Sequence, residues 1–552
     1  MIGLRDRSLE RMRSSTTDPF DLLVIGGGIT GAGIALDAAS RGASVALVER
    51  RDFASGTSSK SSKLVHGGLR YLEHYEFGLV REAAQERDLL RVLAPQLVEP
   101  VPFVLPISDR WMRAKFGVGL WAYDALASFK NLQVHRYLGV EETEAAVPPL
   151  PKGKIKGGFL FYDCKNDDVR LVMEVLVQAV RFGAIVANHC SVTNIDASAG
   201  GCIVSVEDSV EHTHFEIHAK RVISAAGVWG DAIEKRTNPE AEARTRPSKG
   251  IHLSFRRDKL PLRQEAAFIP DVDRQRMLFV IPWLDTVIVG TTDTTYEGDL
   301  DSPSVDEDDR RYVLDSVNSV FDLGLTDDDI SGAWAGLRPL VQGKAGSTAD
   351  LSRNHTIYDI APGVIGITGG KLTTYRRMAK DAVDRIAPDL DLTTKCKTAR
   401  IRLGTSDIDA LRLAVERRAT RLGLGSEQAA NLIRCYGDRA MRVLDVAESE
   451  GLNRPLVPGA QPIAAEAAYC ARAEMAVHLT DVLSRRTRLS LTDPAAGIGS
   501  RSVAAEVMAT AHGWDTSTTT TEVEAHRRAV EGERGRPLGE ELAPETSDEG
   551  AA

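Results

Sequence analysis

The chain has 552 residues, 43% hydrophobic and 26% charged, with a net charge of −10 at neutral pH, a globular composition long enough for several folding units. That acidic balance excludes a protein that coats nucleic acid, which needs a dominant basic surface, but leaves room for a local basic pocket. The six cysteines are scattered without a C-x-x-C pair or zinc spacing, and no run reaches the ~18 apolar residues of a membrane span, so a reduced, soluble or peripheral protein is expected.

Residues 1–17 open with "MIGLRDRSLERMRSS", arginine-rich but without the apolar stretch of a secretory signal, and are expected to be flexible. From Asp21 the run "DLLVI" feeds "GGGITGAGIALDAASRG" and then "ASVALVER". Strand, glycine turn, helix and strand in that order open a parallel α/β domain. A comparable unit follows in "GGFLFYD", a helix over about 168–182, and "AIVANH". "CIVSVED", "FEIHAK" and "RVISAAG" read as short strands of a meander returning to that sheet. In "EHTHFEIH", His212, His214 and His218 share one strand face. A metal would suit them, but a solvent-facing strand is the simpler reading, and no metal is expected. Residues 244–290 alternate apolar and polar side chains ("IHLSF", "MLFVIPW", "TVIVG"), as an antiparallel sheet does, before the acidic loop "EGDLDSPSVDEDDRR". After "GVIGITGGKLTTYRRMAKDAVDRI" the chain turns rich in Ala, Leu and Arg at helical spacing from about 407 to 513, which predicts a separate helical domain. Beyond Trp514 a run of Thr followed by Glu, Gly, Pro and Ser reads as a disordered tail.

Gly26, Gly28 and Gly31 form G-x-G-x-x-G between the first strand and its helix, and Glu49 ends the next strand. The glycines allow a tight turn and close approach of backbone N–H groups to a pyrophosphate, whose charge suits a helix N-terminus. A carboxylate at Glu49 can hold the two ribose hydroxyls of an adenosine and repels a 2′-phosphate, which disfavours NADP. Further glycine turns after strands, at Ala225–Gly227 and at 363–371, make three returns to one sheet. A small NAD domain closes sooner, and one FAD domain interrupted by long insertions fits better.

Six segments, "DLLVIGGGITGAGIALDAASRG", "SSKLVHGGLRYLEHYEFGLVREAAQER", "IPWLDTVIVGTTDT", "GLRPL", "SRNHTIYD" and "GGKLTTYRRMA", together resemble the FAD-dependent glycerol-3-phosphate dehydrogenases of the aerobic type. The likeness runs over roughly 18–513 and extends, more loosely, to the amino-acid-oxidase-like flavoenzymes. It implies a Rossmann-like FAD-binding domain (18–105, 157–245, 340–390), an inserted antiparallel-sheet cap domain for substrate (106–156, 246–339), an all-α C-terminal domain (395–515) and a tail (516–552). It also implies oxidation of sn-glycerol 3-phosphate to dihydroxyacetone phosphate by hydride transfer to flavin N5, with electrons passed on to membrane quinone. No cysteine stands where covalent-flavin relatives place one, so the FAD is expected to be non-covalent.

Such a reaction needs a phosphate anchor, a base for the C2 hydroxyl and donors around the flavin. Arg70 with Tyr71, Arg338 and Arg353 match the family's substrate positions, and an arginine fork meets phosphate oxygens bidentately. His66 is the first candidate base and His355 the second, with a hydroxyl polarised by Arg338 as a third route. Ser58, Ser59, Ser62 and Lys63 are expected along the flavin and its pyrophosphate, together with Gly227 and Trp229. Gly369 and Gly370 permit close backbone approach, and Lys371 and Thr373 open a helix whose N-terminus suits negative charge on the reduced flavin.

Residues 109–130 carry Trp111, Met112, Phe116, Leu120, Trp121 and Tyr123 between Arg110, Arg113, Lys115 and Lys130. This is either an interfacial helix lying on a bilayer or a cap helix buried in the substrate domain. The helices around "SRRTRL" are a candidate dimer surface or a further part of the membrane-docking surface. A cytoplasmic protein docked to the inner face of the cell membrane is the expected setting, with no nucleic-acid partner. The competing activities are an oxidase that uses oxygen, a related amino-acid-type oxidation, and flavin binding without turnover.

Overall fold

The computed structural model describes residues 3–68, 76–126, 133–198, 200–273, 276–341, 355–499 and 502–538. An eight-stranded sheet is built around Phe20–Ile25, whose parallel neighbours are Val45–Val48 (Leu22 opposite Val45) and Thr213–Ser224 (Ile25 opposite Ser224). Ile185–Ala187 extends one edge, and Val364–Thr368 with antiparallel Thr356–Ala361 extends the other. The central strand is apolar on both sides because both are covered. Leu22 and Val24 meet the helices Ile29–Arg41, Asp168–Arg181 and Tyr375–Ile386, while Leu23 and Ile25 meet Leu9 and Met12 and the meander residues Val192, Val204 and Ile217.

Residues 1–17 therefore need correction. Leu4–Arg13 is a helix with Leu9 and Met12 buried, anchored by an Arg5–Asp208 ion pair at 2.6 Å. Its arginines alternate with a narrow apolar stripe, which is enough to seat it against the sheet.

A second, ten-stranded sheet contains Thr245–Arg256, Thr286–Gly290, Met277–Trp283, Ala266–Pro270 and Ile330–Val341. It also takes in Glu99–Pro106 and Gly158–Lys165, which pair antiparallel with each other. The sequence assigned both of these strands to the nucleotide domain, and that assignment is corrected. Only the helix Asp168–Arg181 and the strand Ile185–Ala187 of that unit join the first sheet. An apolar strand carries no local mark of which sheet it pairs with. In Thr245–Arg256, Ile251, Leu253 and Phe255 pack under the helix Glu307–Phe321. The intervening Gly250 and His252 line a cavity between the two sheets.

The helices Ile408–Arg421, Ser426–Tyr436, Ala440–Glu450, Ala464–Ala473 and Val503–His512 enclose a core of their own around Val415, Leu432, Val443 and Met508. Buried ion pairs join it to the first domain, Arg170 to Glu474 at 2.9 Å and Arg486 to Asp52 at 2.8 Å. Arg485, Arg486 and Arg488 of "SRRTRL" are all engaged internally by Asp52, Asp167 and Asp168.

The expected tail is corrected over 516–538. Thr516–Arg534 is a helix with His526, Val530 and Arg534 buried. Arg534 donates to the carbonyls of Ser490 at 2.8 Å and Pro494 at 2.9 Å, and Glu533 pairs with Lys60. Residues 539–552 lie outside the described residues.

Candidate active site

The cavity draws its walls from both sheets, with Gly26, Gly28 and Glu49 from the first and His252 and Arg338 from the second. At Gly26 the backbone takes φ 111°, and a Cβ there would lie 2.6 Å from the Ala225 carbonyl oxygen. Gly31 does not line the cavity; a Cβ on it would stand 1.9 Å from the Gly26 carbonyl oxygen, so it lets the helix start close against the strand. Glu49 accepts the N–H of Gly27 at 2.7 Å and of Arg51 at 2.9 Å, and desolvation pushes its pKa up. A bare glycine turn at a helix N-terminus with an acid closing the next strand fits the pyrophosphate and ribose of a dinucleotide.

Ser58 and Ser62 line the cavity. Ser58 Oγ accepts the Ile29 N–H at 2.9 Å, and Ser62 Oγ is 2.7 Å from His252 Nε2. Ser59 and Lys63 point away from it, which corrects their expected contact with the cofactor. Ser59 is buried and donates to the Gly56 carbonyl at 3.2 Å. Lys63, with φ 58°, turns its side chain into the interior, where Nζ meets Asp168 at 2.9 Å and the Ser59 carbonyl at 2.6 Å. Burial and the neighbouring Arg488 bring its ammonium down to about 8 in spite of Asp168. A buried cation needs a counter-charge, and the acid at the start of the Asp168–Arg181 helix supplies it.

Gly227, Trp229, Gly369, Gly370, Lys371 and Thr373 all line the cavity. Lys371 precedes a short turn of 3₁₀ helix, Leu372–Thr374, before the helix Tyr375–Ile386 begins. Thr373 Oγ1 donates to the His66 carbonyl at 3.4 Å, tying this wall to the "HGG" segment. His66 lines the cavity just after the strand Leu64–Val65. Its position is set from behind, where Gly67 N–H donates to Asp163 at 2.9 Å and Asp163 pairs with Arg87 at 2.9 Å. His355 is not brought to the cavity wall: its Nε2 lies 3.2 Å from Asp381, a correction to its candidacy as base. Arg70, Tyr71 and Arg353 lie outside the described residues.

Arg338 stands on Ile330–Val341, in register with Ser248 on the neighbouring strand, while Trp334 is in register with His252. Residues four apart on a strand share a face, so this whole group projects together. The guanidinium is held on two sides. Nη1 lies 3.2 Å from Asp293 and Nη2 donates to Thr291 Oγ1 and the Thr292 carbonyl, each at 3.0 Å. Gly250 makes room for it, since a Cβ there would stand 2.2 Å from Arg338 Nη2.

His252 was not singled out from the sequence. It is buried against Trp334, with ring centroids 5.1 Å apart and planes 12° from parallel. Burial, reinforced by the cations of Lys63 and Arg338, holds its pKa well below the ordinary imidazole value, so it is neutral at physiological pH. The signal was the alternation in "KGIHLSF", which puts Gly250 and His252 on the face opposite Ile251 and Leu253. The site thus combines a pinned guanidinium, a neutral imidazole reached through a serine hydroxyl, and a dinucleotide cradle.

Comparison with known proteins agrees with this assembly. Residues 21–376 match the FAD dependent oxidoreductase family, and residues 396–519 match the C-terminal domain of alpha-glycerophosphate oxidase. Glycerol-3-phosphate dehydrogenase 2 of Mycobacterium bovis is 40% identical over 529 residues, covering 94% of this chain and 89% of that protein. The aerobic glycerol-3-phosphate dehydrogenase of Bacillus subtilis is 37% identical over 501 residues, covering 88% and 89%. The crystal structure of glycerol-3-phosphate dehydrogenase from Bacillus halodurans complexed with FAD superimposes with a TM-score of 0.78 at 31% identity, covering 97% of this chain and 98% of that one. With its glycine turn, its two sheets around one cavity and its helical C-terminal domain all accounted for, the chain belongs to the FAD dependent oxidoreductase family and, within it, to the glycerol-3-phosphate dehydrogenases.

Proposed function

We propose that the protein oxidises sn-glycerol 3-phosphate at C2 to dihydroxyacetone phosphate, using non-covalent FAD, and delivers the electrons to membrane quinone. The observation that carries this reading is the placement of Arg338 and the Ser62–His252 pair in the cavity that also holds the glycine turn. When bound, FAD supplies a two-electron acceptor for the C2 hydride. Arg338, held in place before substrate arrives, offers its fork to the phosphate, with Arg70, Tyr71 and Arg353 as further proposed contacts. Ser62 Oγ takes the C2 hydroxyl proton as its own proton passes to His252 Nε2, which is neutral and therefore able to accept it. His66, the other imidazole on the cavity wall, orients the hydroxyl. Lys371 brings positive charge to the wall that Gly369 and Gly370 form.

Anaerobic addition of glycerol 3-phosphate to the purified flavoprotein tests this directly. Bleaching of the flavin's visible absorbance is expected, and an unchanged spectrum would leave the protein a flavin binder without this activity. Turnover with a quinone analogue but little peroxide in air separates the dehydrogenase from an oxidase.

Membrane contact rests on the helix Arg110–Leu126. Leu120 and Tyr123 are buried, whereas Trp111, Val118 and Trp121 are 70%, 73% and 63% exposed. One face of this helix is packed into the second domain and the other is left exposed. The exposed Trp111 indole with Lys115 beside it, and Arg113 over the Tyr137 ring, suit the headgroup region of a bilayer. No helix among the described residues is long and apolar enough to cross a membrane. Peripheral docking at the cytoplasmic face of the cell membrane is the corresponding proposal for location.

A further inference from the structure

The acidic loop 296–305 belongs to the second sheet, linking Thr294–Thr295 to the helix Glu307–Phe321. One of its residues nevertheless reaches the first domain. Asp301 Oδ1 pairs with Arg50 and accepts the indole N–H of Trp229 at 2.7 Å. The Asp301 carbonyl accepts from Arg51 at 3.1 Å, and Oδ2 lies 3.6 Å from the same guanidinium. Arg50 and Trp229 both line the cofactor cavity, and the Arg50 guanidinium lies over the indole at 4.5 Å. Arg50 directly follows Glu49, the acid that closes the nucleotide-binding unit.

The loop is pinned elsewhere too. Val305 N–H donates to the Glu533 carbonyl at 3.0 Å, and the Val305 carbonyl accepts from Arg310 at 3.1 Å. Asp301 N–H donates to Asp299 at 3.0 Å, which sets the local turn. A fixed loop therefore presents one carboxylate across the domain boundary to two cavity-wall side chains at once.

We infer that Asp301 is a positioning residue for the bound dinucleotide: by holding Arg50 and Trp229 as one stacked pair it sets the rate at which FAD leaves the protein. Neither wall residue shares an element with Asp301, so the stack is maintained only while the second-sheet loop stays against the first domain. The Arg50 and Asp301 side chains are 34% and 38% exposed, within reach of screening ions. Cofactor retention consequently depends on ionic strength, a dependence that loss of the carboxylate removes.

The test uses the holoprotein. Release of FAD after dilution is followed by the fluorescence of the freed cofactor, at low and high salt, for the parent, Asp301→Asn, Arg50→Met, the double variant and Glu297→Gln, an exposed residue of the same loop. Asp301→Asn is expected to release FAD at least tenfold faster than the parent at low salt, with the gap closing at high salt as the parent accelerates. Asp301→Asn is expected to add little in the Arg50→Met background, and Glu297→Gln to match the parent. Release from Asp301→Asn within twofold of the parent at low salt overturns the inference. So does the same acceleration in the Arg50→Met background, or parental release that ignores salt; the last arm needs no variant to fold.

Discussion

His252 lies flat on Trp334, 12° from parallel, with its Nε2 2.7 Å from the Ser62 hydroxyl. The indole fixes the ring plane and the serine engages Nε2, so in the proposed mechanism the imidazole acts on substrate through Ser62. Replacing Ser62 by Ala is expected to lower kcat by about 10²-fold, the scale of a lost acid–base step, with KM little changed. The acid limb of the kcat/KM profile is expected well below the ordinary imidazole value of about 6.5, because burial and the neighbouring cations keep the imidazole neutral until the solution is more acidic than that. Steady-state kinetics across pH check both outcomes, and a Ser62→Ala enzyme with parental kcat removes the relay.

The same depressed pKa has a signature in stability. As pH falls through about 6.5 the unfolded chain's imidazole takes up a proton that the folded one refuses. Stability is therefore present above that pH and lost below it, by about 1.4 kcal/mol per pH unit until the folded pKa is reached. In His252→Gln this contribution is absent, so its urea midpoint is expected to change less between pH 7.5 and 5.5 than the parent's.

Gly250 and Arg338 make a paired prediction. Arg338→Ala removes a charge-assisted phosphate contact worth about 1.5–3 kcal/mol, or ~10- to 150-fold in kcat/KM for glycerol 3-phosphate. Gly250→Ala places a methyl group against the Arg338 guanidinium, which shifts because it ends a flexible chain. The expected result is about a tenfold loss in kcat/KM for a stability cost near 1 kcal/mol, since a small displacement at a reacting centre outweighs its packing cost. Unchanged half-saturation in Arg338→Ala takes that residue out of the phosphate site.

Deleting residues 516–552 is expected to destabilise the protein by at least about 3 kcal/mol, from the lost burial of Val530 and the lost hydrogen bonds of Arg534. Urea titration measures it. A truncated protein as stable as the parent means that the helix Thr516–Arg534 contributes no net packing.

Replacing Trp111 and Trp121 together by Ser is expected to weaken binding to anionic lipid vesicles by about tenfold or more, with turnover toward a water-soluble electron acceptor retained. Co-sedimentation is the measurement. Equal sedimentation of parent and variant assigns membrane contact to another surface.

The nucleotide unit was legible in the sequence because every instruction in it is local: the apolar strand, the glycines and the terminal acid lie within about thirty residues. Sheet membership was not. "GGFLFYD" reads as a strand in either sheet, and only its distant partner Glu99–Pro106 decides. Lys63 looked like a cofactor ligand because its counter-ion, Asp168, lies 105 residues away. The final helix was masked by its threonines and charges, although His526, Val530 and Arg534 stand at intervals of four on one stripe. Two of those three are polar, so hydropathy does not mark the stripe. The choice of His252 as the proposed base rests on stacking and burial, neither of which the alternation of a strand expresses.

The contact between Lys60 and Glu533 joins residues 473 apart in the chain. A ribosome working at about 5–20 residues per second needs roughly 25 to 95 s to cover that interval. For most of it the segment carrying Lys60, Ser58 and Ser62 is outside the exit tunnel without its final support. Flavin capture during synthesis therefore meets an unfinished wall, and the nascent protein is most exposed to aggregation or proteolysis before the helix Thr516–Arg534 emerges.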